Sequence, residues 1–341
     1  SHAALMMASR SSGLSAGCMM LITHLMNMNC TIEWNSLDPA AWEARFLAIR
    51  RSTLPQSYDY ARAVCPIYGQ RGQWGLIRIG GAEAGLVQML EARLFGRALH
   101  ALAIDRGPLW FPGFGGVMHL RAVLDELNRL FPARFGRRRR LIPEIVKSPA
   151  SAGLLQQAGW TARGPDYTTL WLDLTRPQEE LRAGLKGNWR GHLAKAERGP
   201  LVLRWDTQEA AIDSLIAGYV ADRQVKSYPG PAPKVIRALA RQFSAEGKAL
   251  IGQALLDNRP VSSILILCHG CAATYQVGWN DAEGRKHGGH YALLWDGFAQ
   301  LQKRGIMDLD LGGVNDDSAQ GVSGFKDGTG GQRVTLAGLY T

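Results

Sequence analysis

The two halves of the chain contain predicted elements in the same order, and this repeat constrains the fold more than any other feature of the sequence. In the first half, helices precede three strand-like runs, WGLIRIG, AGLVQMLEARL and ALHALAI, and a helix and a strand follow. In the second half, helices again precede three such runs, KALIGQALLD, VSSILILCH and CAATYQVGW, before a helix and the strand IMDLDLGG. Antiparallel strands with helices packed across them predict an α+β fold. The repeated order predicts two tandem domains, residues 31–165 and 166–341.

Length, charge and cysteine content narrow the class of protein. A chain of 341 residues suits two domains. Its net charge of +10 indicates a polyanionic partner, either nucleic acid, a phosphorylated substrate or an anionic membrane surface, although a merely basic composition explains it equally well. Five cysteines do not form a disulfide framework and favour a reducing cytoplasm. Residues 1–30 are predicted to be an N-terminal extension, and no segment is apolar for long enough to predict a membrane span.

Motifs for metal-dependent or triad chemistry are absent from the sequence. It contains no G-x-S-x-G, no Walker loop and no H-E-x-x-H. Cys268 and Cys271 form a lone pair around His269-Gly270, which is more typical of a hairpin turn than of a zinc site. We therefore expect neither a metal nor a cofactor. The reactions that remain are those in which positioning and charge stabilisation suffice.

One cation stands out in a glycine-rich segment near the C-terminus. Lys326 directly follows Phe325 in GVSGFKDGTGG, which we predict to be a polar loop after a buried strand. A solvated loop lysine is one interpretation. The other is that Lys326 meets an anion, because glycines allow a loop to approach a ligand closely and lysine keeps its charge at neutral pH unless it is buried.

Two basic clusters could contact nucleic acid. A single helix predicted over residues 177–198 would carry Arg182, Lys186 and Arg190 at four-residue spacing on one side. A second cluster, Arg137, Arg138, Arg139 and Arg140, is predicted to lie between a helix and a strand. Either cluster could neutralise phosphates or could simply be a solvated basic surface.

The segment GRKHGGH at 284–290 opens a predicted helix and resembles an acyl-CoA-binding loop. Backbone N–H groups at a helix N-terminus can hold phosphate. The acetyltransferase pattern Gln/Arg-x-x-Gly-x-Gly/Ala is met by Arg285 and Gly288 but not by His290. An ordinary loop remains the alternative.

Several motifs occur in an order that resembles a known family. IDRGPLW, YTTLWLDL, the basic LKGNWRGHLAKAERG, GVSGFKDGTGG and LAGLY follow one another over roughly 31–341. Together they are similar to the Fem family of aminoacyl-tRNA-dependent peptidyl transferases, whose best-known members build peptidoglycan cross-bridges. The resemblance implies two tandem acetyltransferase-like (GNAT) domains.

The resemblance also implies an activity and site residues. The activity would be transfer of an amino acid from charged tRNA to an amine of a peptidoglycan precursor or a peptide-like metabolite. The Phe-Lys of the family's terminal loop falls on Phe325 and Lys326, implied to be catalytic. Contacts with substrate phosphate fall nearest to Arg223 and Tyr275, with Tyr228 as a further candidate. The alternatives are an acyl-CoA-dependent N-acyltransferase on the same fold and a non-enzymatic RNA-binding module.

Overall fold

The first sheet is built from strands of the N-terminal half. The computed structural model of the protein describes residues 29–96, 98–226, 230–314 and 320–341. The strands of the first sheet are β1 (Cys30–Trp34), β2 (Arg71–Ile79), β3 (Ala82–Leu94), β4 (Leu99–Asp105), β5 (Leu109–Trp110) and β6 (Arg137–Ile142). They are ordered β1-β2-β3-β4-β6, with β5 paired to β3.

The second sheet has seven strands and lies in the C-terminal half. Its strands are β7 (Tyr167–Asp173), β8 (Val202–Trp205), β9 (Ala249–Leu256), β10 (Arg259–His269), β11 (Ala272–Asn280), β12 (Asp308–Gly313) and β13 (Gln332–Leu336). They are ordered β13-β7-β12-β11-β10-β9-β8. The predicted hairpin between β10 and β11 is present, and Gly270 takes the left-handed conformation there.

Helices flank both sheets, so the predicted α+β class is confirmed. Those of the first half are α1 (Pro39–Leu47), α2 (Tyr58–Tyr68), α3 (Val117–Leu130) and α4 (Pro149–Gln157). Those of the second half are α5 (Gln178–Gly184), α6 (Gly187–Glu197), α7 (Glu209–Lys226), α8 (Pro233–Ala245), α9 (Ala282–Lys286), α10 (Gly289–Lys303) and α11 (Gln320–Asp327). Local sequence explains many ends: Asp38 caps α1 by accepting a hydrogen bond from the Ala41 backbone N–H at 2.7 Å.

The two sheets differ where each contains a parallel pair of strands. In the first sheet, β4 and β6 pair without interruption over six residues, from His100–Arg137 to Asp105–Ile142. In the second sheet, β11 and β12 pair only over Ala272–Thr274 and Asp308–Asp310. Beyond Thr274, β11 continues beside β10 alone. The second sheet therefore opens between β11 and β12, whereas the corresponding part of the first sheet stays closed.

Apolar packing and partly buried ion pairs join the two halves. One core cluster contains Val64 of α2 together with Phe243 of α8 and Leu265 of β10. Beside it, the Lys248 ammonium donates to Glu43 and Asp59, both at 2.8 Å. Burial of apolar surface supplies most of the stability of such a contact, and the ion pairs fix its orientation.

The C-terminal segment crosses back to the first half. The Tyr340 backbone N–H donates to the Leu141 carbonyl at 2.8 Å, and Ala337 and Tyr340 lie in the same apolar core cluster as Leu141 of the first sheet. The chain passes from the first sheet to the second between β6 and β7. Its last residues nevertheless pack into the core of the first sheet. The division into 31–165 and 166–341 stays a prediction, and residues 1–28 of the predicted extension lie outside the described residues.

Three predicted elements differ from the structure. The helix predicted over 177–198 is two helices, because Leu185 and Lys186 are extended between α5 and α6. The cluster Arg137–Arg140, predicted to precede a strand, is itself part of β6. Lys326, predicted to lie in a loop, belongs to α11. In the last case, packing of Phe325 against aromatic rings outweighs the helix-disfavouring glycines.

Asp308 at the start of β12 is the deepest charge between the halves. Its side chain is 0% exposed and accepts hydrogen bonds from Arg50 at 2.9 Å and Arg51 at 3.3 Å. Arg51 has a φ of 55°, a conformation that costs about 1–2 kcal/mol for a residue with a side chain. The contact with Asp308 offsets that cost.

Asp308→Asn should lower the free energy of unfolding by about 1–3 kcal/mol, because it removes the charge that two guanidinium groups bind. Urea denaturation measures the change. Asp125→Asn is the control, because its i,i+4 pair with Arg121 is exposed and should change stability by less than about 0.5 kcal/mol. Equal losses in the two variants would contradict the structural role of Asp308.

Candidate active site

Asp310 holds the end of β12 at the point where β12 leaves β11. Its Oδ2 accepts a hydrogen bond from Arg106 Nη1 at 3.1 Å, and its Oδ1 accepts from the Thr169 hydroxyl and, at 2.8 Å, from the Gly312 backbone N–H. The carboxylate is therefore bound by a first-half side chain, by β7 and by its own strand. These bonds fix the position of the end of β12, which forms one edge of the opening between β11 and β12.

Arg106 is the other half of this buried network. It forms a bidentate pair with the Glu144 carboxylate, with Nη2 at 2.9 Å from Oε1, and its guanidinium lies 5.0 Å from the centre of the Tyr167 ring. Burial acts to lower the pKa of Arg106, but the Glu144 and Asp310 carboxylates outweigh burial and raise it. The guanidinium therefore stays charged, which is the condition for a stable buried cluster.

Lys326 extends into the opening between β11 and β12. Its Nζ donates a hydrogen bond to the Gly313 carbonyl at 2.7 Å. A Cβ placed on Gly312 would lie 3.8 Å from that Nζ and 3.6 Å from the Tyr275 carbonyl oxygen, so the ammonium lies near the inner edges of both strands. Gly312 has a φ of 75°, so any residue with a side chain would be strained there.

The electrostatic environment of Lys326 is unusual for a lysine. Burial lowers its pKa to about 8, and the Asp310 carboxylate opposes this shift. An ammonium has three N–H donors, and one of them binds Gly313 among the described residues. Two donors are left for an anion, in a site where low solvent access strengthens the interaction. The interpretation of Lys326 as a solvated lysine does not fit this burial.

Phe325 anchors the helix that carries Lys326. Its carbonyl accepts from Trp189 Nε1 at 3.0 Å, and its ring lies 5.9 Å from the Trp189 ring and 5.1 Å from the Tyr291 ring. These contacts tie α11 to α6 and α10. In this structure Phe325 positions Lys326. A direct catalytic role of Phe325 stays a prediction.

Tyr275 and His290 approach each other above a glycine of β11. A Cβ on Gly278 would lie 2.2 Å from the Tyr275 hydroxyl and 3.0 Å from His290 Nε2. His290 Nε2 is buried and has no hydrogen-bond partner among the described residues. Burial lowers the pKa of His290 to about 4, so its ring is neutral at pH 7. The His290–Phe325 ring distance of 6.0 Å brings this pair next to the helix of Lys326.

The other predicted substrate contacts lie on or after α7. Arg223 is in the last turn of that helix and donates to the Pro231 carbonyl at 3.4 Å. The same helix packs against β11, where Gly218 contacts Trp279. Tyr228 lies outside the described residues. Substrate binding by Arg223, Tyr275 and Tyr228 stays a prediction.

The residues of the first basic cluster do not form one helical stripe. Arg182 on α5 pairs with Glu197 of α6 at 2.6 Å. Arg190 donates to the Leu185 carbonyl at 2.7 Å, which satisfies the end of α5. Lys186 is exposed at the junction of the two helices. Arg190 is also exposed, so a nucleic-acid role for these residues stays a prediction.

The second basic cluster is divided between two faces of β6. Arg137 and Arg139 lie on the α3 face, where Arg137 donates to the Pro132 carbonyl at 2.7 Å and Arg139 lies 4.4 Å from the Trp160 ring. Arg138 and Arg140 lie on the opposite face, because side chains alternate along a strand. Arg140 pairs with Asp105 at 3.2 Å. A nucleic acid could not contact all four arginines from one side.

Helix α6 covers the loop that resembles an acyl-CoA site. A Cβ on Gly288 would lie 3.1 Å from the Ala196 Cβ and 3.4 Å from the His192 carbonyl. The His192 ring also stacks on Tyr291 at 4.8 Å. The start of α10 is thus packed against protein at the position where a pyrophosphate would need access to backbone N–H groups.

The sequence singled out Lys326 but not the buried charges and the histidine near it. Arg106, Glu144 and Asp310 come from distant segments, and His290 attracted notice only as a departure from a motif. A detectable signal did exist for Asp310: two carboxylates alternate with leucine in DLDLGG. Two charges on one face of an otherwise apolar strand indicate buried partners. Among the described residues, the structure contains no group of three or more side chains placed to bind a metal ion.

Comparison with known proteins supports a GNAT-fold acyltransferase. Residues 183–327 match the family model of the acetyltransferase (GNAT) domain. No curated protein sequence matches the chain at a significant level. Helices long and apolar enough to cross a membrane do not occur in the described part of the chain.

Solved structures resemble nearly the whole chain. The crystal structure of FemX is 13% identical, with a TM-score of 0.75 over 90% of this chain and 96% of that one. The C-terminal domain of a putative lysylphosphatidylglycerol synthetase from Agrobacterium fabrum is 12% identical, with a TM-score of 0.54 over 89% and 92%. A tandem GNAT protein from the clavulanic acid pathway is 14% identical, with a TM-score of 0.51 over 91% and 98%. The predicted fold of two tandem acetyltransferase-like domains, similar to Fem proteins, is confirmed.

Lys326→Ala should reduce the turnover of acyl transfer to an amine by roughly 100-fold, the scale for loss of one electrostatic stabiliser. The fold should persist, because Phe325 anchors α11 independently. Single-turnover rates and thermal unfolding measure the two effects. Lys303→Ala, at an exposed lysine of α10, is the control. An unchanged rate in Lys326→Ala would contradict its role at the reacting group.

The pKa of about 8 for Lys326 predicts a pH dependence. As pH rises through 8, Lys326 loses its charge, and the rate should fall by about tenfold per pH unit if the ammonium is the active form. The ratio of the wild-type rate to that of Lys326→Arg removes the titration of the acceptor amine, since arginine stays charged. A ratio that stays constant between pH 7 and pH 9 (roughly one unit either side of the pKa) would rule out this titration.

Proposed function

We propose that the protein is an aminoacyltransferase that moves an amino acid from charged tRNA to an amine, forming an amide bond. The observation that carries the proposal is the buried Lys326 ammonium in the opening between β11 and β12, two of whose donors bind no group among the described residues. The acceptor is an amine of a peptidoglycan precursor or of a peptide-like metabolite. The resemblance to Fem proteins and the similarity of the fold to FemX support the same reaction.

The reaction needs little beyond positioning and charge stabilisation. The acceptor nitrogen attacks the ester carbonyl, and its lone pair forms the new C–N bond. The carbonyl oxygen becomes an oxyanion, which Lys326 stabilises by donating hydrogen bonds. When the intermediate collapses, the ribose oxygen leaves with the C–O electron pair, and the proton lost by the amine ends on that oxygen or on solvent. The ester is already activated, so neither a metal nor a strong base is required.

Two features favour an aminoacyl ester over an acyl-CoA donor. Helix α6 packs against Gly288, where an acetyltransferase-type loop would bind pyrophosphate. His290 replaces the small residue at the third position of that loop, and its side chain lies beside Tyr275 and Phe325. A CoA pyrophosphate would have to displace α6, whose Trp189 also supports the Lys326 helix. The alternative, an acyl-CoA-dependent N-acyltransferase, predicts that α6 moves on binding.

Cations on the same side as α6 could contact the donor. Lys186 lies at the junction of α5 and α6 and is exposed, as is Arg190. The Lys186 backbone N–H donates to the Gly328 carbonyl at 2.9 Å, two residues beyond Lys326. A phosphate chain that reaches Lys326 would therefore pass close to Lys186. On the acceptor side, Arg223 and Tyr275 are proposed to bind a phosphorylated acceptor.

The donor can be identified by measuring the binding of tRNA and of CoA across a salt series. Single-stranded phosphate contacts give a log–log slope of about −0.7 each, so four or five contacts predict a slope of about −3. Lys186→Glu should weaken tRNA binding and make the slope shallower by about one contact. Lys303→Glu, on an exposed lysine of α10, is the control.

Tight CoA binding with a shallow salt dependence, and no binding of tRNA, would contradict the proposed donor and favour the acyl-CoA alternative. Loss of the tRNA ester on addition of candidate amines then tests the reaction itself. In that assay, Lys326→Ala should bind tRNA as the wild type does but should leave the ester intact.

A further inference from the structure

Two turns meet at one corner of the first sheet. They are the β3–β4 turn and the turn between α3 and β6. The His100 backbone N–H donates to the Gly136 carbonyl at 2.8 Å, and Arg134 Nη1 donates to the Ala98 carbonyl at 3.2 Å. A Cβ on Gly136 would lie 2.3 Å from the Ala98 carbonyl oxygen. The two turns are therefore held side by side as one surface.

Large apolar side chains are exposed on both turns. The corner patch consists of Leu94, Phe95, Leu99 and Phe135, which are 63%, 84%, 45% and 100% exposed. Isolated exposed apolar residues are ordinary, but a contiguous group indicates a binding surface. Leu94, Leu99 and Phe135 line a groove of about 450 Å³, whose sheet side contains small residues such as Ala92 and Ala101.

Cations adjoin the corner patch. Arg137 and Arg138, at the start of β6, both line the groove, and Arg134 belongs to the adjoining turn. Arg134 donates to the Ala98 and Phe135 carbonyls, and Arg137 donates to the Pro132 carbonyl and, at 3.2 Å, to His100 Nδ1. The nearby Glu91 carboxylate is buried and binds Arg93 at 2.6 Å. A binding partner at this corner would therefore contact exposed apolar side chains that lie next to positively charged arginines.

We propose that the corner patch docks on an anionic lipid bilayer. Phe95 and Phe135 would enter the boundary between headgroups and acyl chains, and Arg138 would bind lipid phosphate. Exposed aromatic and aliphatic side chains next to basic residues are the combination that binds such interfaces. This inference does not depend on the proposed function.

Other partners fit the corner patch less well. A nucleic acid would use the arginines and could stack bases on the phenylalanines, but it would leave Leu94 and Leu99 exposed. A second copy of the chain in a two-fold interface would place like charges opposite each other, because each patch brings the same arginines. An anionic bilayer can bury the apolar side chains and can also bind the arginines through its lipid phosphates.

Co-sedimentation with vesicles tests the inference. The full chain should bind vesicles of phosphatidylcholine with phosphatidylglycerol, should bind pure phosphatidylcholine far less, and should be released by salt. The double variant Phe95→Ser/Phe135→Ser and the variant Arg138→Glu should each reduce binding by at least about tenfold. The controls are Val202→Ser/Val225→Ser, at valines 63% and 84% exposed in the second half, and Lys303→Glu.

Several outcomes would overturn the inference. They are wild-type protein that stays in the supernatant, equal losses in the corner and control variants, and binding that does not depend on anionic lipid. A smaller particle size of Phe95→Ser/Phe135→Ser in solution would assign the corner patch to self-association. Loss of tRNA binding in Arg138→Glu with unchanged vesicle binding would assign it to nucleic acid. Because the corner patch lies outside the site of Lys326, transfer between soluble substrates should be unchanged in the phenylalanine variants.

Discussion

The buried pair of Arg106 and Asp310 is the interaction on which the rest of the site depends. Arg106 directly follows β4 in the first half and has a φ of 55°, a strained conformation that surrounding contacts must maintain. Asp310 comes from β12 in the second half, 204 residues later. Replacing one partner would leave the other charge buried and unpaired, which costs more than an ordinary lost contact. The pair therefore links the orientation of the two halves to the edge of β12.

That linkage explains why Lys326 can be buried with a lowered pKa and still serve as a donor. Asp310 also accepts from the Gly312 N–H, and this bond fixes the strand whose next carbonyl, on Gly313, binds Lys326. Asp310 partly offsets the effect of burial on the Lys326 pKa without forming a close pair with the ammonium. A direct ion pair would hold the charge but would occupy the donors that a reacting oxyanion needs. In the structure, Asp310 acts on the Lys326 charge from a distance, and the ammonium donates to another oxygen, the Gly313 carbonyl.

The sequence predicts the parts of this architecture that local patterns determine. Alternation and helical spacing give the order of elements, and the isolated Lys326 marks one site residue. The helix around Lys326 was missed because its stability comes from packing of Phe325 on Trp189 and Tyr291 rather than from helix propensity. The partners of Asp310 could not be predicted, because Arg106 and Glu144 approach it only through the packing of the two halves. The arginines of β6 form a contiguous run in the sequence, yet strand alternation separates them onto two faces.

The two halves show how one fold can be used in two ways. In the first half, β4 and β6 stay paired over six residues, so the backbone groups there are satisfied within the sheet. In the second half, β11 and β12 separate after three pairs, and the Lys326 ammonium binds one of the carbonyls that the missing partner would have satisfied. Opening a sheet exposes polar backbone at a cost, and a buried cation offsets part of that cost while remaining able to bind a second oxygen. The same lysine thus stabilises the opened strand and faces the space created by the opening, which ties the fold of the second half to its chemistry.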